Sequence, residues 1–200
     1  CQENGVTDIV EVLVGYDGIA IANSSQSVRF DLSLGDIYRA LAKDIPGPDG
    51  KLQPNPHKTW KDVNPALPDT RIEVLGPPPT SGTRDAFAEL AMEGGCKTFD
   101  WIKAMKKKDK NQYKAICHTV REDGAYVEAG ENDNLIVQKL DTNPKALGVF
   151  GFSFLDQNRD KIRSSAIDGV QPEFETISDG SYPISRPLYF YVKAAHAGVI

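Results

Sequence analysis

The sequence predicts an α/β fold built on a mostly parallel sheet, and three observations carry that expectation. β-rich runs alternate with helical periodicities, short Gly- and Pro-rich breaks separate them, and 40% of the 200 residues are hydrophobic, enough to fill a core.

Ile9 to Val14 is the first strand run and Gly18 to Ala22 the second; the Asp-Gly pair in Gly15-Tyr16-Asp17-Gly18 predicts a tight turn or sharp bend between them. Ser33 to Leu41 follows as a short amphipathic helix with Ser33 as its N-cap. From Pro46 to Pro68, Pro, Gly and Asn predict an irregular excursion anchored by Trp60 and Leu67. Arg71 to Leu75 reads as a strand, stopped by Gly76-Pro77-Pro78-Pro79 before a helix from about Ser81 to Glu93. Phe99, Ile102 and Met105 share one stripe of a helix running to about Lys107, and Tyr113 to His118 continues the helical region. Glu131 to Leu140 is a further helix, and Leu147 to Phe152 is a strand whose glycines imply close backbone approach. Pro187 to Lys193 is the last strong strand. Lys193 to His196 reads as the opening of another helix, and the abrupt start and finish predict a folded unit larger than this chain.

A net charge of -5 and a pI near 5.2 exclude nucleic acid as the expected partner, because neutralising a phosphate backbone needs a clustered excess of cations. No apolar run approaches the length of a membrane span, and no signal peptide precedes the first strand, so the chain is expected to be a mature form or a fragment. Cys1 as a lipidated first residue is set aside, since the strand at Ile9 leaves almost no tether. Cys96 and Cys117 flank a Lys-rich helical stretch without zinc-ligand spacing; a disulfide between them is expected, with two buried thiols as the alternative. No cofactor or metal is expected.

The segment with chemistry is Thr80-Ser81-Gly82-Thr83-Arg84. A helix start presents unpaired N–H groups and a partial positive charge, and small residues there let an anion approach the N–H groups of Gly82 and Thr83. Arg84 in the first turn is opposed by the helix dipole by about 0.3–1 kcal/mol, so a negative group belongs nearby. Asp85 alone is the plain alternative, an ordinary capped helix with surface charges.

Other readings are weaker. Ser81 as a hydrolase nucleophile lacks a Gly-x-Ser-x-Gly setting, and His57, His118 and His196 stand in no recognisable relation to it. The run Lys106-Lys107-Lys108-Asp109-Lys110 reads first as a solvated helix end, ahead of a transporter-docking or anion-steering surface. Glu128, Glu131, Asn132 and Asp133 lack calcium-loop spacing and suit an acidic helix start.

Ser81-Gly82-Thr83 at a helix start resembles the anion-binding segment of the phosphate-binding proteins of ABC transporters, a type II periplasmic binding protein family. Leu34-Gly35-Asp36-Ile37-Tyr38, Trp60 to Pro65, Gly15 to Ala20, Ala146 to Phe150 and Tyr182 to Tyr189 resemble that family in the same order, so the likeness covers nearly the whole chain. It implies one lobe with a mixed, mostly parallel sheet flanked by helices, and hinge-crossing strands. Residues 1–21 would be a first-lobe strand and crossing, 22–183 the anion-binding second lobe, and 184–200 the return crossing.

By the same resemblance the site residues are Thr80, Ser81, Gly82, Thr83 and Arg84, the ligand is inorganic phosphate, and the partner is the membrane permease. The protein would be a monomeric, periplasmic or otherwise extracytoplasmic binder that catalyses nothing. An interaction or adhesion module, or a binder of another oxyanion on the same fold, is the alternative. The chain departs from the family's Arg-x-Asp-Gly-Ser-Gly-Thr, having Pro77-Pro78-Pro79-Thr80 before Ser81, so Arg84 is the expected substitute guanidinium, folded back toward the N–H groups of Gly82 and Thr83.

Overall fold

Three short strands carry the parallel part of the sheet: β5 (Val74–Gly76), β6 (Tyr126–Glu128) and β7 (Leu147–Gly151), with β5 parallel to both others. They are described in a computed structural model of residue 5 and residues 8–196; Cys1 and the end of the chain beyond His196 lie outside the described residues. The long strand β1 (Ile9–Ser24) joins this trio antiparallel to β7, and the sheet order is β10-β1-β7-β5-β6 with β8 (Ile162–Ser164) also on β1. The sheet is therefore mixed, its antiparallel pairings all made by β1.

The expected turn at Gly15 to Gly18 does not occur. β1 runs straight through, with a register irregularity between Leu13 and Gly15, because β10 (Ser185–Lys193) pairs along it as far as Gly18. Asp17 faces Arg186 across that pairing and its carboxylate accepts from the guanidinium at 3.3 Å. Gly18 is required by packing rather than by a turn, since a Cβ there would meet the Ile177 side chain at 2.6 Å.

Alternation along β1 divides the core. Ile19 and Ile21 face one layer with α1 (Leu34–Leu41) and the central helices, while Ala20 and Ala22 face the other with α7 (Asp133–Thr142) and α8 (Phe152–Gln157). Ser33 caps α1 as expected, closing a capping box with Asp36. The excursion from Pro46 to Pro68 is more ordered than its composition suggests: β3 (Asp44–Pro46) pairs with β4 (Leu52–Pro54), and Thr59 caps the single-turn α2 (Trp60–Val63). Trp60 and Leu67 are buried, as the anchors they were expected to be.

The helix expected from Ser81 to Glu93 reaches Cys96, as α3 (Gly82–Phe87), a π segment (Ala88–Met92) and α4 (Glu93–Cys96). The next helical region is two helices, α5 (Asp100–Lys108) and α6 (Lys110–His118), the second capped by Asp109. The Cys96–Cys117 disulfide is present, with a Cα–Cα separation of 5.4 Å. After β7 the structure adds α8, β8, β9 (Ala166–Ile167, paired with β2, Asp31–Leu32) and α9 (Phe174–Ser178), elements too short to leave a periodic signal in sequence. The helix opening at Lys193 appears as a 3-10 turn, Ala194–His196.

Beyond this body the first half of β1 and all of β10 form a two-stranded ribbon. β1 changes from exposed to buried at Gly18, and Val10, Val12, Leu13, Val14, Leu188, Tyr189, Phe190, Tyr191 and Val192 are exposed along the ribbon.

Candidate functional site

Parallel strands place their following helices with their starts at one edge of the sheet. β5 leads to Gly82 at the start of α3, β6 to Asp133 at the start of α7, and β7 directly to Phe152 at the start of α8. Three helix N-termini thus gather beyond the carboxyl ends of β5, β6 and β7, where α/β sheets bind ligands and where unpaired N–H groups favour negative charge.

Within that edge Ser81 is the N-cap of the long central helix, and its hydroxyl accepts from the Thr83 N–H at 3.2 Å. The N–H groups of Arg84 and Asp85 donate to the Ser81 carbonyl at 3.0 and 3.2 Å. The Gly82 N–H has no acceptor among the described residues, and Gly82 is exposed. A Cβ at Gly82 would meet nothing within 4 Å, whereas at Gly76 it would strike the Tyr126 hydroxyl at 2.1 Å. Packing therefore explains Gly76 and leaves Gly82 unexplained by the fold.

Arg84 does not extend into solvent. Its guanidinium lies over the Tyr126 ring, 4.1 Å from the centroid, and donates to the Pro77 carbonyl at 3.4 Å, turned back toward the β5–α3 connection. The Tyr126 hydroxyl donates to the same carbonyl at 2.9 Å. Burial pushes the Tyr126 hydroxyl pKa up against the opposing pull of Arg84, which keeps it a neutral donor. Thr80, exposed, donates to the Glu131 carboxylate at 2.6 Å and so ties the start of α3 to the residues leading into α7. The Asp133 carboxyl is raised by burial, partly offset by the Gly151 N–H at 3.4 Å.

All five residues expected from sequence stand together at this edge. Tyr126 and Glu131 are additions: Tyr126 carried no anion signal of its own, and Glu131 read only as part of an acidic helix start. His57 lies elsewhere, beside Lys58, Arg71 and Arg121, and His118 reaches the flank of the site through a cavity of about 370 Å³ that it shares with Arg84 and Lys114.

A family model described as the PBP superfamily domain matches residues 1–200. Among curated relatives, the phosphate-binding protein PstS of Staphylococcus haemolyticus is 31% identical over 188 residues, which is 92% of this chain and 47% of the relative. The protein of the same name from Staphylococcus saprophyticus is 35% identical over 139 residues, 67% of this chain and 35% of the relative. The chain thus spans less than half the length of these relatives. Among solved structures, one described as a possible phosphate binding protein from Planctomyces limnophilus superposes with a TM-score of 0.68 at 25% identity, over 98% of this chain and 59% of that one. PstS from Borrelia burgdorferi shares the fold, with a TM-score of 0.64 at 18% identity over 96% of this chain and 64% of that one.

Proposed function

This chain belongs to the family of PBP superfamily domains, and from that premise we propose that it carries the anion-binding lobe of a protein that captures inorganic phosphate for an ABC transporter. The observation that carries the reading is Gly82, a glycine with helical backbone that no neighbour requires, at a helix start whose N–H is open. Space left bare over an unpaired N–H suits an approaching oxyanion. The names of the curated relatives point to phosphate among oxyanions. Thr80, Ser81, Gly82, Thr83 and Arg84 are its proposed ligands, with the Thr83 N–H and the Ser81 hydroxyl exchanging their mutual bond for bonds to the anion.

Residues 22–183 are the lobe itself. Residues 1–21 and 184–200 contain the two crossings and strands of a first lobe; the switch from exposed to buried at Gly18, with Ile19 to Ile21 already in the body's core, sets the crossing a few residues earlier within β1. An anion held between two lobes favours the closed form, which a membrane permease reads; the step is capture without catalysis. On this reading the protein works outside the cytoplasm as a monomer. No described helix is long and apolar enough to cross a membrane.

Titrating inorganic phosphate into the chain and following amide shifts tests the reading. The Gly82 and Thr83 signals should move first and together. Shifts spread over the lysines of α5 and α6, with none at Gly82 or Thr83, would refute it.

A further inference from the structure

The strongest unassigned feature is the face made by α5 and α6. Between Lys97 and Lys114 stand seven lysines against two aspartates, in a chain whose net charge is -5. Both aspartates serve helix ends, Asp100 in the first turn of α5 and Asp109 as the cap that accepts from the Gln112 N–H at 2.9 Å. Lys97 and Lys106 are spent on Glu93 at 2.8 Å each. Lys103, Lys107, Lys108, Lys110 and Lys114 are exposed and make no ion pair among the described residues.

Helix electrostatics account for only part of this. Lys107 and Lys108 suit the carboxyl end of α5, but Lys110 is the first residue of α6, where the dipole opposes a cation, and no acidic residue occupies that turn. Trp101 is 39% exposed on α5, and Lys108 follows it at i+7 on the same stripe. Exposed lysines and a surface indole on the same pair of helices match the boundary of an anionic bilayer, where ammonium groups meet headgroup phosphates and indole enters the interface. The face is also rigid: the Cys96–Cys117 disulfide and the bonds from Lys106 and His118 to Glu93 pin both helices to the central helix.

We propose that the α5–α6 face docks on an anionic lipid surface through Lys107, Lys108, Lys110, Lys114 and Trp101. The remainder of the chain is acidic and repelled by such a surface, so contact through this face alone sets the orientation. Lys114 shares a cavity with Arg84, so docking brings the flank of the anion site to the membrane. The consequence for ligand delivery rests on the proposed function; the docking itself does not.

Co-sedimentation of the chain with vesicles tests it, using phosphatidylcholine alone and phosphatidylcholine with one third phosphatidylglycerol. Binding is expected only to the anionic vesicles, lost in high salt, with a blue shift of Trp101 fluorescence, Trp60 being buried already. Lys107→Gln with Lys110→Gln should lower the partition coefficient about 30-fold, and Trp101→Ala should lower it with the charge intact. Equal binding to neutral vesicles would assign the contact to the apolar ribbon of β1 and β10 and overturn the proposal. Binding to polyglutamate without binding to anionic vesicles would also overturn it, in favour of an acidic protein partner. Phosphate-induced shifts at Gly82, measured without vesicles, separate the two ideas: their absence removes the phosphate reading and leaves docking standing.

Discussion

Gly82 and Gly95 sit at opposite ends of the helical run from Gly82 to Cys96 and answer to different forces. A Cβ at Gly95 would lie 2.0 Å from the Leu34 carbonyl oxygen, so Gly95→Ala must push α1 away and should cost about 2 kcal/mol, read as a lower urea midpoint. Gly82→Ala meets nothing in helical backbone and should leave that midpoint unchanged or raise it, by up to about 1 kcal/mol, while weakening phosphate binding. A matching loss of stability at Gly82 would make it a structural residue. Arg84 is less clean a probe than the sequence suggested, because its stacking on Tyr126 gives it a share in the fold. In a two-lobed protein, Arg84→Ala should weaken phosphate binding by about 1.5–3 kcal/mol and lower stability by about 0.5–1 kcal/mol. Arg84→Lys should recover part of the binding, since a point charge cannot fork. Calorimetry alongside thermal melts reads both; unchanged affinity in Arg84→Ala would return the residue to the surface.

Glu93 governs an element, the junction of the central helix with α5 and α6. Burial alone would raise its pKa, but bonds from Lys106, Lys97 and His118 overcome that and hold it at about 2, against 4.5 for a free glutamate. A folded-state pKa below the unfolded one stabilises above the unfolded value, and that stability is lost as pH falls from about 4.5 toward about 2. Melting temperatures should therefore fall over that window more steeply in the parent than in Glu93→Gln, with the two converging at the acid end. Parallel curves would mean that the carboxylate's partners add nothing. Its role was not visible in sequence, because Lys106 and His118 reach Glu93 only after α5 and α6 fold back on the central helix.

At the scale of the whole molecule, the ribbon of β1 and β10 is the part least able to stand alone. An isolated two-stranded ribbon is marginal in water, and this one exposes apolar side chains such as Val12 and its register partner Phe190, 46% and 67% exposed. A second lobe around it would bury them. Without one, the chain should self-associate with concentration in light scattering, and Val12→Glu with Phe190→Lys should suppress this. A parent chain monodisperse at high concentration would count against the ribbon as lobe-forming strands. The same lack of a second wall should leave phosphate binding by the chain far weaker than in a two-lobed protein, and micromolar affinity with sulfate excluded would contradict the division into lobes.

What the sequence determined by itself was local. Strand and helix runs, the Ser33 and Ser81 caps, the anchors Trp60 and Leu67, and a glycine in a hydroxyl-rich helix start all follow from propensity, periodicity and capping within a few residues. It mistook Gly15 to Gly18 for a turn because an Asp-Gly pair looks alike in a turn and in a strand; the long-range partners β10 and Ile177 decide which. Only tertiary structure set the three helix starts at one edge, laid Arg84 on Tyr126 across 42 residues of sequence, and gathered Glu93 with His118. Those contacts depend on strand order and helix packing, and no local pattern encodes the order in which distant segments pair.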